Sequence, residues 1–315
     1  MDVEDPINLL AVDAALDLAN LFTDSEVRGS FCLTGEKCRT LMSRNRHDVI
    51  AAFKPHCLGL HTNTHSFHPT TMELLAELPY EEGCKAALQE ERKGFDAFIS
   101  AFDRPPVFWG GAGNTWSPEI NFAIKELGIL ALSYTLTSLP DYAVHNFNGV
   151  MALPQALSIG EHEWSDDELA AVAIERVMGG IEKINQPWIG IFVGHPTRFR
   201  HVNYWDVPYF AGRTPDGPEM TEPAPLKTFE TAKRNLQSFL VLLKSQFEIV
   251  GVDDVLKLDW KHRSPTQDEL QHFMDETPEQ IRGAAKWPVH RRGLNPDRII
   301  QKTLALSSTI QVPEV

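Results

Sequence analysis

Leu58-Gly59-Leu60-His61-Thr62-Asn63-Thr64-His65-Ser66-Phe67-His68-Pro69 joins a short apolar run to two histidines four residues apart. The run, from Cys57 to Leu60, reads as a buried strand. Residues four apart on a helical turn share a face, so both imidazoles can reach one metal ion. Neutral imidazole is the commonest protein ligand for zinc and related metals. Two ligands are too few for a site, so the reading turns on where the third arises.

Outward from that stretch, apolar runs and helical patterns alternate. Residues 13–22 form an amphipathic pattern behind an Asp13 cap, and Gly29 to Leu33 a buried strand followed by a helix from about Glu36. Residues 70–78 and 81–101 read as helices, Val107 to Trp109 as a strand, and Gly110 to Asn114 as a glycine-rich loop. Ser117-Pro118-Glu119 opens a helix by its cap and first-turn proline, ending at Gly128. A strand spans Ile129 to Thr135, a helix Ser165 to about Ile184, and a strand Trp188 to Val193. Residues 196–226 are proline-rich and aperiodic, a long loop of the kind that is usually functional. Thr228 to Gln246 reads as a strong helix and Phe247 to Val252 as a final strand. Apolar strands separated by helices imply a parallel sheet, open or closed into a barrel. Beyond residue 260 the composition turns polar, so 261–315 reads as a helical extension outside the core, with helices near 267–283 and 296–306.

Composition sets bounds on function. A 315-residue chain that is 43% hydrophobic can bury a full core. Its net charge of −14 argues against binding nucleic acid or an anionic membrane surface. No apolar run approaches the ~18 residues of a membrane span. The acidic start, Met1-Asp2-Val3-Glu4-Asp5, has none of the marks of a signal peptide. Cys32, Cys38, Cys57 and Cys84 form no CxxC pair and read as reduced, buried thiols, which points to the cytoplasm.

Two further pieces complete a constellation. In a strand, residues i and i+2 project to one side, so Asp2 and Glu4 share a face while Asp5 points elsewhere. One carboxylate can bind a metal while the other acts as a base. A second register, with Glu4 as base and Asp5 as ligand, stays open. Only Met1 precedes this motif, so strand one is very short or begins further upstream. At the far end, Ile191-Phe192-Val193-Gly194-His195-Pro196 places a histidine directly after a strand, where barrel enzymes carry catalytic groups and where an imidazole can act as a general acid.

In this order the pieces resemble the NodB-type polysaccharide deacetylases, a carbohydrate esterase family, over roughly residues 1–260. His61-Thr62-Asn63-Thr64-His65 fits the family's H-[S/T]-x-x-H motif, and Val193-Gly194-His195 its late leucine–x–histidine with Val for Leu. Phe31 to Glu36 looks like its first βα segment and Phe247 to Val252 like its closing strand. The resemblance implies a distorted (β/α) barrel of about seven strands and metal-assisted hydrolysis of an N-acetyl amide. It assigns the metal to Glu4, His61 and His65, with zinc foremost and cobalt, nickel or manganese as alternatives. Asp2 becomes the base and His195 the acid.

The family's arginine falls on Trp109, because Arg104-Pro105-Pro106 lies five residues too early. Its aspartate–tryptophan segment is not matched, although Tyr134 and Asp141 lie nearby. Trp109, Gly110, Gly111, Asn114 and Trp116 are the expected substrate-binding residues, with loop N–H groups offering an oxyanion site. Trp109, Trp116, Tyr204, Trp205, Tyr209 and Phe210 offer faces for sugar rings. His68 and His56 read as structural. The expected partner is a saccharide or a small amide, with a homo-oligomer allowed. The alternatives are a same-fold hydrolase of a non-sugar amide or cyclic imide, and an impaired NodB-fold binding protein.

Overall fold

The computed structural model describes residues 1–314 apart from 115, 134, 140–143, 154–155, 185–187, 211–220 and 287–293. Its first half is a run of strand–helix units. β1 (Asp2–Val3) leads through α1 (Leu9–Asp24) to β2 (Ser30–Leu33), and α2 (Gly35–Ser43) and α3 (His47–Phe53) lead to β3 (Cys57–Leu60). α4 (Thr71–Leu75) and α5 (Tyr80–Phe102) precede β4 (Phe108–Gly110), and α6 (Pro118–Glu126) precedes β5 (Ala131–Ser133). These five strands are parallel neighbours in chain order.

β6 (His145–Phe147) and β7 (Val150–Ala152) form an antiparallel hairpin, with β7 parallel to β5. Its turn is Asn148-Gly149, both at positive φ (52° and 81°), the pairing that two-residue hairpins favour. β8 (Ala156–Ser158), α7 (Glu161–Trp164), α8 (Asp167–Ile181) and β9 (Ile191–Val193) make a further parallel unit. The Asp2 amide donates to Gly194 O at 2.9 Å, so the β8–β9 pair carries the ring of strands on past β1. The result is a distorted α/β barrel wrapped in helices.

Period-two alternation divides the strands between two faces. Phe31, Leu33 and Leu58 pack outward against Val12, Leu18, Phe53 and Phe98 of the surrounding helices. Cys32, Cys57, Phe108 and Ala131 cluster on the other face, inside the barrel.

Several expectations from the sequence are corrected. α9 (Pro196–Arg200) and α10 (Val207–Phe210) lie within the expected irregular loop, the first started by Pro196 in its opening turn. Residues 247–251 join no sheet: β9 pairs with β8, Val250 is 41% exposed, and the chain turns at Gly251 into α12 (Val252–Leu256). α11 (Leu226–Gln246) precedes that turn.

The C-terminal segment does not lie outside the core. β10 (His262–Arg263), α13 (Gln267–Ala284), α14 (Pro296–Ala305) and β11 (Val312–Pro313) bring Phe273, Ile281, Ile299 and Val312 into one apolar cluster with Trp116, Ile120 and Phe147. Lys302 Nζ donates to the buried Glu119 across that seam. An apolar stripe hidden in a polar composition explains the misreading: α13 and α14 are amphipathic and bury one face each.

Candidate active site

The C-terminal ends of β1 and β3 and the segment after β9 converge at one mouth of the barrel. Val3 packs outward among the helices, which turns Asp2 and Glu4 inward on the shared face that alternation requires. Asp5 is fully engaged elsewhere. Its carboxylate accepts from the Ile7 and Asn8 amides (2.9 and 3.0 Å), Asn8 Nδ2 (2.8 Å) and Thr197 Oγ1 (2.8 Å). Lys37, buried and lowered to about 8 by burial, donates to the Asp5 carbonyl. This geometry favours the Asp2/Glu4 register.

His61 and His65 meet without a helix. Residues 61–68 form turns, with Thr62 and His65 both at φ 56° and the His65 amide closed onto Thr62 Oγ1 at 3.0 Å. The two rings end 5.1 Å apart. His61 Nδ1 donates to Gly110 O at 3.0 Å, leaving Nε2 facing Glu4 Oε2 at 3.3 Å. His65 Nδ1 lies 2.8 Å from Ser66 Oγ and 3.4 Å from Asp206 Oδ2, and Ser66 Oγ donates to that same oxygen at 2.5 Å. His65 is therefore backed by a hydroxyl and a carboxylate, the support typical of a metal-ligating imidazole. Its Nε2 is buried without a hydrogen bond, although it lies 2.9 Å from Glu4 Oε2. Glu4 Oε1 is held by Trp205 Nε1 at 3.2 Å.

Glu4, His61 and His65 thus offer one oxygen and two nitrogens, all within 4.8 Å of one another and all buried. The donor set and the unpaired His65 Nε2 fit a divalent cation such as zinc. Electrostatics agree. Burial opposes charge on both imidazoles, yet Asp2 raises His61 and Glu4 raises His65, each to about 10. Burial also opposes charge on Glu4, but His65 and His61 hold it well below the usual carboxylate range. Carboxylates and imidazoles here hold one another in their charged forms.

His195 stands on the opposite side. Its Nδ1 and its amide both meet Glu161 Oε1, at 2.6 and 2.9 Å, and its Nε2 lies 3.7 Å from Asp2 Oδ2. The Tyr204 ring sits edge-on to it at 5.2 Å. Burial works against its charge, but the Glu161 hydrogen bond and the charges of Glu4, Glu161 and Asp2 raise it to about 9. At neutral pH it carries a proton to give.

The aromatic platform expected for sugar rings is largely absent. Trp109 is buried on the helix side of β4, donating to Glu91 Oε2 at 2.8 Å. Trp116 is buried against Phe147 and donates to Asn121 Oδ1 at 2.8 Å. Trp205 and Tyr209 are buried as well, so these four rings have no free face for a ligand. Gly110 enters the site through its carbonyl, as the His61 orienter. Gly111 is buried beside it. The side chains of Asn114 and Phe210, and Tyr134 and Asp141, lie outside the described residues. Arg104 donates to His56 O at 2.9 Å and His56 meets Ala19 O at 3.0 Å, both away from the site. His68 is tied to Glu73 Oε2 at 2.7 Å and Tyr209 O at 3.1 Å. Glu161, Ser66 and Asp206 are the residues that sequence reasoning missed. Glu161 follows a three-residue strand, and recognising that strand was the one available signal.

No protein-family model matches the sequence, and no curated relative is found for it. Solved structures do resemble it. One is a CE4 family pseudoenzyme from Bacillus anthracis, 13% identical over 81% of this chain and 64% of that one, with a TM-score of 0.46. This chain therefore spans slightly less than two thirds of that neighbour's length. A putative polysaccharide deacetylase from Mycobacterium smegmatis is 16% identical over 78% of this chain and 76% of that one, with a TM-score of 0.47. The peptidoglycan deacetylase PdaC from Bacillus subtilis is 12% identical over 82% and 87%, with a TM-score of 0.42.

Proposed function

We propose that the protein is a metal-dependent hydrolase of carbon–nitrogen bonds that removes acetyl groups from an N-acetylated substrate. The observation that carries this is the convergence of Glu4 Oε2 with the inward nitrogens of His61 and His65, with Asp2 and His195 flanking them. Glu4, His61 and His65 would hold the cation, zinc foremost. Such an ion supplies Lewis-acid polarisation of a carbonyl and a more acidic water. Asp2 takes the proton of the attacking water. His195, protonated, with its Nδ1–H held by Glu161 and its Nε2–H turned inward, protonates the departing amine. The Tyr204 ring packs edge-on against His195.

The decisive experiment has two parts. Divalent metal in the purified protein is measured, then in His61→Ala and His65→Ala. Acetate release is then followed across N-acetylated sugars. Metal content unchanged by both substitutions removes the site. Full activity in His195→Ala removes the acid.

A second reading is a small non-sugar amide or cyclic imide as substrate. The burial of Trp109, Trp116 and Trp205 favours it, because these rings offer no surface for an extended saccharide. Turnover of small amides or cyclic ureides, with none of N-acetylated oligosaccharides, would establish it.

A further inference from the structure

Beneath the mouth, inside the barrel, a second set of ligand atoms shares one member with the first. β1 and β2 pair in the register Asp2↔Cys32, so their inward side chains stand side by side. A carboxylate oxygen of Asp2, the Sγ of Cys32 and a ring nitrogen of His61 all lie within 4.8 Å of one another, and all three residues are buried. Asp2 and Cys32 also line a cavity of about 550 Å³ that runs below them past Ser30, Phe108 and Ser133.

The two sets differ in chemistry. Glu4, His61 and His65 offer oxygen and nitrogen, whereas the lower set adds sulfur, a soft donor that selects thiophilic ions. They also compete. With Nδ1 committed to Gly110 O, His61 has one nitrogen left, and one nitrogen binds one ion.

We propose that Asp2, Cys32 and His61 form a second, thiolate-containing position for a soft divalent cation, in competition with the Glu4–His61–His65 position through the shared His61. This inference rests on the metal reading above. On binding, the Cys32 S–H bond gives its proton to solvent, the sulfur lone pair goes to the cation, and nothing is oxidised or reduced. An ion at this position also takes the Asp2 carboxylate, so the protein loses its base and is inhibited.

The test uses the full chain stripped of metal and titrated with cadmium chloride alone. A thiolate-to-cadmium charge-transfer band is expected in the ultraviolet at one equivalent. The band should vanish in Cys32→Ser and survive in Cys57→Ser and in His65→Ala. Cadmium-113 NMR of the unmutated protein reads the same question without any variant, since a sulfur ligand moves the resonance strongly downfield. Persistence of the band in Cys32→Ser overturns the proposal. Cadmium bound with a resonance typical of oxygen and nitrogen ligands alone overturns it too, while leaving the Glu4–His61–His65 reading standing. No cadmium binding at all overturns both.

Discussion

The two sides of the site are built differently. On one side Glu4, His61 and His65 come from the first 65 residues, at the ends of β1 and β3; local spacing joins the two histidines, and the sheet order β1-β2-β3 brings Glu4 to them. On the other side the groups are scattered over the chain: Glu161 holds His195 from 34 residues before it, and Asp206 reaches His65 and Ser66 from 140 residues after Ser66. On the proposed function, the first side supplies groups that bind. The second supplies groups that orient binders and hold a proton. Ligand chemistry is therefore concentrated in a short stretch of chain, while its tuning depends on the whole barrel being folded.

This contrast can be tested from its strongest expected effect downward. Glu4→Gln removes the one carboxylate among the described residues that faces both imidazoles, and metal content with hydrolysis should fall to background, as read by elemental analysis and acetate release. His195→Ala should leave metal content intact and lower kcat by about 10²–10⁴-fold, the usual worth of a positioned acid. Loss of metal in that variant would erase the division between the sides. Asp206→Asn should weaken metal affinity by about 10–100-fold, as loss of a carboxylate behind a ligating histidine generally does.

Glu161→Gln acts on pH dependence. His195 sits at about 9 in the fold against an ordinary 6.5, so its protonated form is favoured by folding. Its contribution to stability is complete below about 6.5 and fades as pH rises through about 9. The alkaline limb of kcat should follow the same value and move toward neutrality in Glu161→Gln. An unmoved limb would show that another group is the acid.

The smallest effect on activity is expected at Glu91, behind Trp109. Burial raises this carboxyl to about 7 from 4.5, so the stability it adds is present below 4.5 and lost as pH climbs through about 7. Glu91→Gln keeps an acceptor for the Trp109 N–H and should raise stability at pH 8 by about 2–3 kcal/mol in denaturant titration, with unchanged kcat.

How legible all this was in the sequence follows from the same division. The His61/His65 pair and the Asp2–Val3–Glu4 alternation are local patterns, and local patterns survive in a one-dimensional reading. The helical turn inferred for the histidines was not needed, because a turn with two left-handed residues places them equally well. Asp206 carried no signal and Glu161 only that of the short strand before it, since pairing across the barrel is invisible until strands as short as β8 are placed. The tryptophans were misjudged because aromatic rings near a site look alike whether they face substrate or core. Only the backbone phase at Trp109 and the seam with α13 and α14 decide that.

The left-handed backbone at Thr62 and His65 has a kinetic meaning. Residues without glycine's freedom adopt that conformation at a cost on the order of 1–3 kcal/mol each. That cost falls on folding, within a turn braced by Ser66 and Asp206, and not on capture of an ion. On the proposed function, an arriving cation would meet nitrogens already aimed and would have no loop to organise. Its uptake rate should be set by passage through the mouth of the barrel, and its release by the strength of the ligand bonds.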